Sequence, residues 1–315
     1  MYYRIGIDIG GTTTKVAFIS EQAEIVYKTG IPTRCDLGYE QVFADIAHCL
    51  EAGLQTLSAS KDDIRSIGLA IPGLVSEDGS GIVFASNLGF WDVDAQGCLQ
   101  QYFDASRIAL TNDANAAALG EHLFGAAKGS QSSVTITIGT GVGSGIIIDD
   151  RIVTGRFNSG AEIGHTIVDA NGERCPCGQN GCLELYASAS AIVRHAKQEI
   201  QNVPDSRMLS LVNGDIDTLD AKTVYDAYHS GDQAACRVID RFIKYLGIGV
   251  INTINALQPE VIVIGGGISA QKEKLTEPLT GYVKEHLLFG EKNLKTKIVY
   301  ALLGNDAGVI GAAML

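Results

Sequence analysis

Two stretches, one in each half of the chain, follow the same pattern and restrict the possible folds most. Residues 5–20 read IGIDIGGTTTKVAFIS and residues 133–149 read SVTITIGTGVGSGIIID. Each stretch contains two apolar strands joined by a turn of glycine and threonine. A pattern that recurs once in each half predicts an internal duplication, with two domains facing one cleft.

The rest of the chain alternates strands with helix-period segments. Residues 39–57 carry Val42, Ile46, Leu50 and Leu54 on one helical face. This alternation predicts an α/β fold, and 315 residues exceed the usual length of a single compact domain. We predict a small N-terminal α/β domain at 1–111, a large C-terminal α/β domain at 112–302, and a closing helix at about 303–315 that joins the first domain.

The charge of the chain restricts its partners. A formal net charge of −12 and a pI near 4.9 repel nucleic acid and anionic lipid, so we expect neither nucleic acid nor a membrane as a partner. No stretch reaches the ~18 apolar residues of a membrane span, and the apolar run at the N-terminus is too short for a signal peptide. We therefore expect a cytoplasmic protein, in whose reducing surroundings clustered cysteines indicate a metal site.

Such a cluster lies in GHTIVDANGERCPCGQNGCLE, residues 164–184, which contains His165, Cys175, Cys177 and Cys182. One imidazole and three thiolates are the Cys₃His set that is typical of four-coordinate zinc. Four protein ligands leave no position for a substrate, so the sequence predicts a structural Zn²⁺. The C-x-C spacing is tighter than the commoner C-x₂-C, and the alternative is a loop with free thiols.

Two carboxylates flank the cluster, Glu162 three residues before His165 and Glu184 two residues after the last cysteine. Carboxylates accept hydroxyl hydrogens, and a zinc-bound imidazole keeps one ring nitrogen for a ligand. The arrangement suits a polyol. The alternative is that both glutamates are solvated surface charges.

The glycine turns are candidate phosphate sites. Gly10, Gly11, Thr12 and Thr13 in the first turn, with Thr140 and Gly141 in the second, offer backbone N–H groups and hydroxyls that suit a triphosphate. The alternative is that they only tighten hairpins. The P-loop pattern is absent.

A third glycine turn leaves an oxidoreductase open. Gly265, Gly266 and Gly267 open GGGISA, which matches the G-x-G-x-x-A dinucleotide fingerprint. The strand that follows, KIVYALL, has no acid at its end to hold a ribose, so the match is weak.

Asp113 stands between a strand and an alanine-rich helix. One interpretation is a helix N-cap. The other is a general base at the carboxyl end of a strand, where it accepts a hydroxyl proton during phosphoryl transfer.

Seven motifs together carry a resemblance to a known family. They are DIGGTTTK, NDANAAALGE, TIGTGVGSG, EIGH, CPCGQNGCLE, IGGGI and LGNDAGVIGAA. Along nearly its whole length the chain resembles the ROK family of bacterial sugar kinases and sugar-responsive repressors, and within it the glucokinases. The C-x-C-G-x-x-G-C-x-E element after E-x-G-H is the family's signature.

The resemblance implies an actin-like ATPase fold of two RNase H-like halves, with ATP and a sugar in the cleft, and a homodimer. It implies that Asp113 deprotonates the 6-hydroxyl of a hexose. The implied hexose contacts are Gly73, Asn87, Asn112, Glu162, His165 and Glu184. The implied nucleotide contacts are Gly11, Thr12, Thr140 and Gly141 at the phosphates, Asp8 near Mg²⁺, and Gly265, Gly266 and Gly267 near the adenosine. Lys15 matches a family lysine and receives no role.

The resulting expectation is an ATP-dependent hexose kinase of carbohydrate metabolism that converts glucose to glucose 6-phosphate in glycolysis. Kinases of N-acetylmannosamine, N-acetylglucosamine, allose or fructose remain alternatives, because family members share most of the pocket. A more remote alternative is a ROK regulator. Such repressors carry a DNA-binding segment before the first strand, whereas this sequence starts directly in that strand, so we expect a kinase.

Overall fold

The computed structural model describes residues 1–22, 24–103 and 108–315. The strands are β1 (Tyr3–Ile9), β2 (Thr13–Ile19), β3 (Ile25–Pro32), β4 (Ile64–Ile71), β5 (Leu74–Val75), β6 (Ile82–Ala85), β7 (Phe90–Val93), β8 (Ile108–Asn112), β9 (Ser132–Ile138), β10 (Val142–Ile148), β11 (Arg151–Ile152), β12 (Val261–Gly265) and β13 (Lys297–Tyr300). The helices are α1 (Tyr39–Thr56), α2 (Ala95–Gln100), α3 (Asp113–Phe124), α4 (Glu184–Ala187), α5 (Ala189–Asn202), α6 (Arg207–Leu211), α7 (Ala221–His229), α8 (Gln233–Leu257), α9 (Glu273–His286) and α10 (Ala307–Ala313).

Two five-stranded sheets carry the predicted duplication. The first has the order β3-β2-β1-β4-β8, with β1 antiparallel to β2 and parallel to β4. The second has the order β11-β10-β9-β12-β13. Numbered within its own repeat, each sheet follows the same order, 3-2-1-4-5, so the predicted α/β class and its repeated topology are confirmed. A small antiparallel sheet, β5-β6-β7, was not predicted.

Helix α1 forms because one face is apolar, and that face packs on the first sheet. Val42, Ile46, Leu50 and Leu54 are all buried, as the periodicity predicts. They join the strand residues of β1, β2 and β4 in one hydrophobic core. The helix ends at Thr56, one residue before the predicted end.

Helix α10 covers the opposite face of the same sheet. Gly6 lies between two core isoleucines of β1, so by strand alternation it faces away from α1. A Cβ on Gly6 would lie 1.8 Å from the backbone oxygen of Val309, and one on Gly311 would lie 1.7 Å from that of Ala116 in α3. Glycines at these positions allow α10 to pack against β1 and α3 at backbone distance.

The chain divides into two compact units. The first comprises residues 1–135, 145–161 and 305–315, and the second comprises 136–144 and 162–304. The boundary predicted at 112 assigned helix α3 to the second domain. In the structure α3 lies in the first unit, because it packs closely on α10. No helix in the described ranges has the length and apolar content needed to cross a membrane.

Candidate functional site

The turn between β1 and β2 presents its backbone to solvent. The N–H of Gly10 donates to the carbonyl of Thr13 at 3.1 Å, which closes the hairpin, and Gly11, Thr12 and Thr13 are exposed. A Cβ on Gly11 would lie 3.3 Å from the backbone oxygen of Asn87. The structure therefore brings the predicted phosphate turn close to Asn87, a predicted sugar contact in the exposed β6–β7 turn.

Asp8 lies near the end of β1, directly before this turn. Its Oδ2 is 3.2 Å from Nζ of Lys15, which also donates to the carbonyl of Asn305 at 3.1 Å. Lys15 thus links the predicted Mg²⁺ carboxylate to the turn before α10. The sequence shows that Lys15 matches a family lysine, but it does not identify these two partners of the side chain.

Asn112 and Asp113 share the junction of β8 and α3. Asn112 is the N-cap, and its Oδ1 accepts from the N–H of Ala114 at 2.9 Å, while its Nδ2 donates to the carbonyl of Gly73 at 3.1 Å. Asp113 is the first helical residue, and its Oδ1 also accepts from the N–H of Ala114, at 2.8 Å. The cap interpretation therefore applies to Asn112. The junction orders Gly73, Asn112 and Asp113 at the carboxyl end of a strand, where α/β sheets bind ligands.

In the second unit, Glu162 precedes a single 3₁₀ turn at Ile163–His165. The N–H of Ile163 donates to the buried hydroxyl of Ser144 at 3.0 Å, and a Cβ on Gly164 would lie 2.0 Å from the carbonyl oxygen of Val142. The turn is thus fixed against β10. Ser144 was not predicted, because its partner lies 19 residues away.

The four predicted zinc ligands lie together. Their ligand atoms are all within 4.8 Å of one another. Sγ of Cys177 is 3.5 Å from Sγ of Cys182, and Sγ of Cys175 is 3.9 Å from Nδ1 of His165. A tetrahedral zinc with ordinary bond lengths holds such atoms about 3.6–3.8 Å apart, so the donor set and its spacing fit the ion.

The thiols differ in acidity. The backbone N–H of Gln179 and then the thiol of Cys175 lower the pKa of Cys177 to about 7, which favours its thiolate. Burial raises the pKa of Cys175 to about 12 and also raises that of Cys182. Because zinc binds thiolates, binding of a zinc ion at this cluster would release protons.

Glu184 opens α4 and lies between two of the predicted groups. Its Oε1 accepts from Sγ of Cys175 at 3.3 Å and lies 3.6 Å from Nδ1 of His165. Its Oε2 lies 2.7 Å from where a Cβ on Gly141 would be. One carboxylate therefore lies beside both the predicted zinc ligands and the second glycine turn.

Glu162 faces the same charges. Much of its side chain is open to solvent, but protein around the carboxyl group raises its pKa by desolvation; the charge of His165 opposes this shift and that of Glu184 adds to it. Two carboxylates and an imidazole thus interact electrostatically on one unit.

The second glycine turn also adjoins the third. The N–H of Gly139 donates to the carbonyl of Gly141 at 3.0 Å, and Thr140 is exposed. Gly266 has φ +78°, and a Cβ there would lie 2.3 Å from the carbonyl oxygen of Ile138. Gly265 ends β12, while Gly267 opens a 3₁₀ segment at Gly267–Gln271, and α9 begins only at Glu273. The dinucleotide alternative needs a helix that starts at the glycines, which this segment does not provide.

Comparisons with known proteins agree with the resemblance. The ROK family profile matches residues 4–315. A glucokinase from Halalkalibacterium halodurans is 38% identical over 99% of this chain and 94% of its own length. A crystal structure of a ROK family glucokinase from Streptomyces griseus, in complex with glucose and AMPPNP, has a TM-score of 0.83 and 30% identity, covering 99% of this chain and 98% of that chain. A xylose repressor from Caldicellulosiruptor bescii is 27% identical over 98% of this chain and 76% of its own length. The predicted family and the actin-like fold are confirmed.

Proposed function

Because the chain belongs to the ROK family, we propose that it is a hexose kinase that transfers the γ-phosphoryl group of ATP to the 6-hydroxyl of a hexose, with glucose as its preferred acceptor. The relative from H. halodurans is a glucokinase, and the structure from S. griseus holds glucose together with an ATP analogue. Both cover nearly the whole chain, which supports the same activity here.

The position of Glu184 is the observation that carries the proposal. Its two carboxylate oxygens lie against His165 on one side and the turn at Gly141 on the other. A carboxylate and an imidazole suit sugar hydroxyls, and a glycine turn suits phosphate. Groups for a sugar and for a phosphate therefore adjoin at a single side chain, as phosphoryl transfer to a sugar requires.

The chemical step is assigned to Asp113. It takes the proton of the 6-hydroxyl as that oxygen attacks the γ-phosphorus, and ADP leaves with the electrons of the broken P–O bond. Asn112 caps α3 and holds Gly73 by hydrogen bonds, so the backbone beside Asp113 is fixed. A fixed base suits a reaction whose catalysis depends largely on positioning.

The binding groups follow the same division of chemistry. Gly73, Asn87, Asn112, Glu162, His165 and Glu184 are proposed to bind the hexose. Gly10, Gly11, Thr12, Thr13, Thr140 and Gly141 are proposed to bind the phosphates, and Gly265, Gly266 and Gly267 the adenosine. Asp8 offers carboxylate oxygens to Mg²⁺, which neutralises phosphate charge when bound.

Zinc at His165, Cys175, Cys177 and Cys182 is proposed to have a structural role. The four side chains occupy all four coordination positions of the ion, so the zinc would hold the loop that carries them rigid.

A panel of hexoses and N-acetylhexosamines in a coupled ADP-release assay tests the proposal. We expect the highest kcat/KM with glucose and a requirement for both ATP and Mg²⁺. A preference for an N-acetylated hexosamine by about tenfold would overturn the glucose assignment and leave the kinase assignment. ADP release with none of the sugars would overturn the kinase assignment.

A sugar-responsive regulator is the second candidate. The match to the xylose repressor from C. bescii favours it, because that protein aligns with 98% of this chain. A regulator of this kind binds its sugar without turning over ATP. Calorimetric binding of a sugar combined with no ADP release would therefore select it.

A further inference from the structure

Glu173, two residues before Cys175, lies close to three basic side chains. Its carboxylate lies 2.8 Å from Nη2 of Arg194, 3.7 Å from Nε2 of His195 and 3.9 Å from Nη2 of Arg241. Arg194 and His195 belong to α5 and Arg241 belongs to α8. One side chain of the loop is therefore joined to two helices that carry none of the metal ligands.

The backbone of Glu173 is held as well. Its N–H donates to the hydroxyl of Tyr186 at 3.0 Å, and its carbonyl accepts from the N–H of Gly181 at 2.8 Å. Arg194 also donates to the carbonyl of Leu185 in α4. We call residues 164–184 the metal loop. These bonds connect Glu173 to Gly181 near the end of the metal loop, and they connect Glu173 and Arg194 to α4.

Tyr186 is the buried residue on which these contacts rest. It is 2% exposed, and its ring stacks on that of Tyr245 at 4.2 Å between centroids and 23° between planes. The guanidinium of Arg241 lies 5.8 Å from the Tyr186 ring. A buried, stacked ring has few rotamers, so its hydroxyl is a fixed acceptor for the loop.

The position of Tyr186 connects these contacts to the proposed sugar site. It lies two residues after Glu184 in the short helix α4, and Cys175, two residues after Glu173, places its Sγ 3.3 Å from Oε1 of Glu184. Glu184 is thus supported from two directions, by the metal cluster and by the contacts of Glu173. Only the first depends on a metal.

We propose that Glu173, Tyr186 and Arg241 are positioning residues that hold the metal loop and Glu184 in place for sugar binding by a route that does not pass through the metal. The sugar-binding part of this inference rests on the proposed function. The loop-holding part does not.

The test compares Glu173→Gln with Glu199→Gln. Glu199 and Arg237 form a 2.8 Å ion pair that also joins α5 to α8, and within the described part of the chain neither residue hydrogen-bonds or ion-pairs with residues 164–184. The pair is therefore a matched control for a lost ion pair between the same helices. Tyr186→Phe, which removes only the hydroxyl that accepts from Glu173, is the second variant and keeps the stacked ring.

Three quantities are measured on the zinc-loaded full chain: the rate of zinc loss to a chromogenic chelator, the KM for glucose and the KM for ATP. For Glu173→Gln and Tyr186→Phe we expect about tenfold faster zinc loss and about tenfold higher glucose KM, with the ATP KM nearly unchanged. Glu173→Asp, which keeps the charge, should recover part of both losses.

Equal behaviour of Glu173→Gln and Glu199→Gln in zinc loss and glucose KM would overturn the inference, as would an equal rise of both KM values. If Glu173→Gln does not fold, Tyr186→Phe alone decides the outcome. If the wild-type protein phosphorylates no hexose, the proposed function fails, while the zinc-loss comparison still decides whether these residues hold the loop.

Discussion

Replacing Gly141 by alanine tests whether Glu184 couples the glycine turn to the sugar. The backbone at Gly141 allows alanine, since its φ is not in the left-handed region, but the new Cβ would lie 2.7 Å from Oε2 of Glu184. An ordinary contact needs about 3.4 Å, so the carboxylate oxygen has to retreat by about 0.7 Å. A misplacement near 1 Å costs up to about 10²-fold in rate, and we expect kcat/KM for glucose to fall about tenfold, or about 1.4 kcal/mol.

Gly139→Ala is the matched control in the same turn, because a Cβ built there has no atom of the described residues within 4 Å apart from its own chain neighbours. Steady-state kcat/KM is measured for glucose at saturating ATP and for ATP at saturating glucose. We expect Gly139→Ala to behave as wild type and Gly141→Ala to lose efficiency mainly toward glucose. The reasoning is refuted if folded Gly141→Ala keeps wild-type efficiency, or if both variants lose it equally.

Four further expectations follow from single residues. Asp113→Asn should lower kcat by about 10²-fold or more with sugar affinity, measured by calorimetry, within several-fold; retention of more than about a tenth of kcat would exclude its role as base. Cys177→Ser should leave less than one zinc per chain by elemental analysis, raise the sugar KM and lower the Tm, and unchanged values would contradict a bracing role. Gly311→Ala, whose Cβ would lie 1.7 Å from a backbone oxygen of α3, should lose about 1–3 kcal/mol in urea unfolding, whereas Gly281→Ala, which has open space in α9, should lose nothing. Burial lowers the pKa of His195 from 6.5 to about 4, so between pH 6.5 and about pH 4 the unfolded chain binds a proton that the folded chain does not. The free energy of unfolding should therefore fall as the pH drops from 6.5 to about 4, and His195→Gln should make this decrease smaller in a series of urea unfolding curves.

The features that could be predicted from sequence are those with a local period or a short spacing. Strands β1, β2, β9 and β10 show as apolar runs around glycine turns, and α1 shows as one apolar face. The predicted zinc ligands stand out in the sequence because three cysteines lie within eight residues of each other. In each case the physical constraint acts over a few residues, so a pattern records it.

The features that could not be predicted depend on distant partners. Strands β5, β6 and β7 have two to four residues each, too few to show a period. Glu184 and Gly141 lie side by side but are 43 positions apart in sequence. The sequence shows only that residue 141 is a glycine and does not show which side chain lies beside it. The position of α3 depends on Gly311, which looks like any other small residue of a helix until α10 is packed on α3.

The placement of α10 in the first unit affects the order in which the protein can form on the ribosome. All residues of the second unit, 136–144 and 162–304, are synthesised before residues 305–315 of the first unit. The first unit needs residues 305–315 to cover the face of its sheet at Gly6, so it stays incomplete until those residues leave the exit tunnel. Domains usually fold in the order of synthesis, N-terminal first. Here the unit that begins the chain is the later one to finish, and until then the strand face around Gly6 is exposed to solvent and to chaperones.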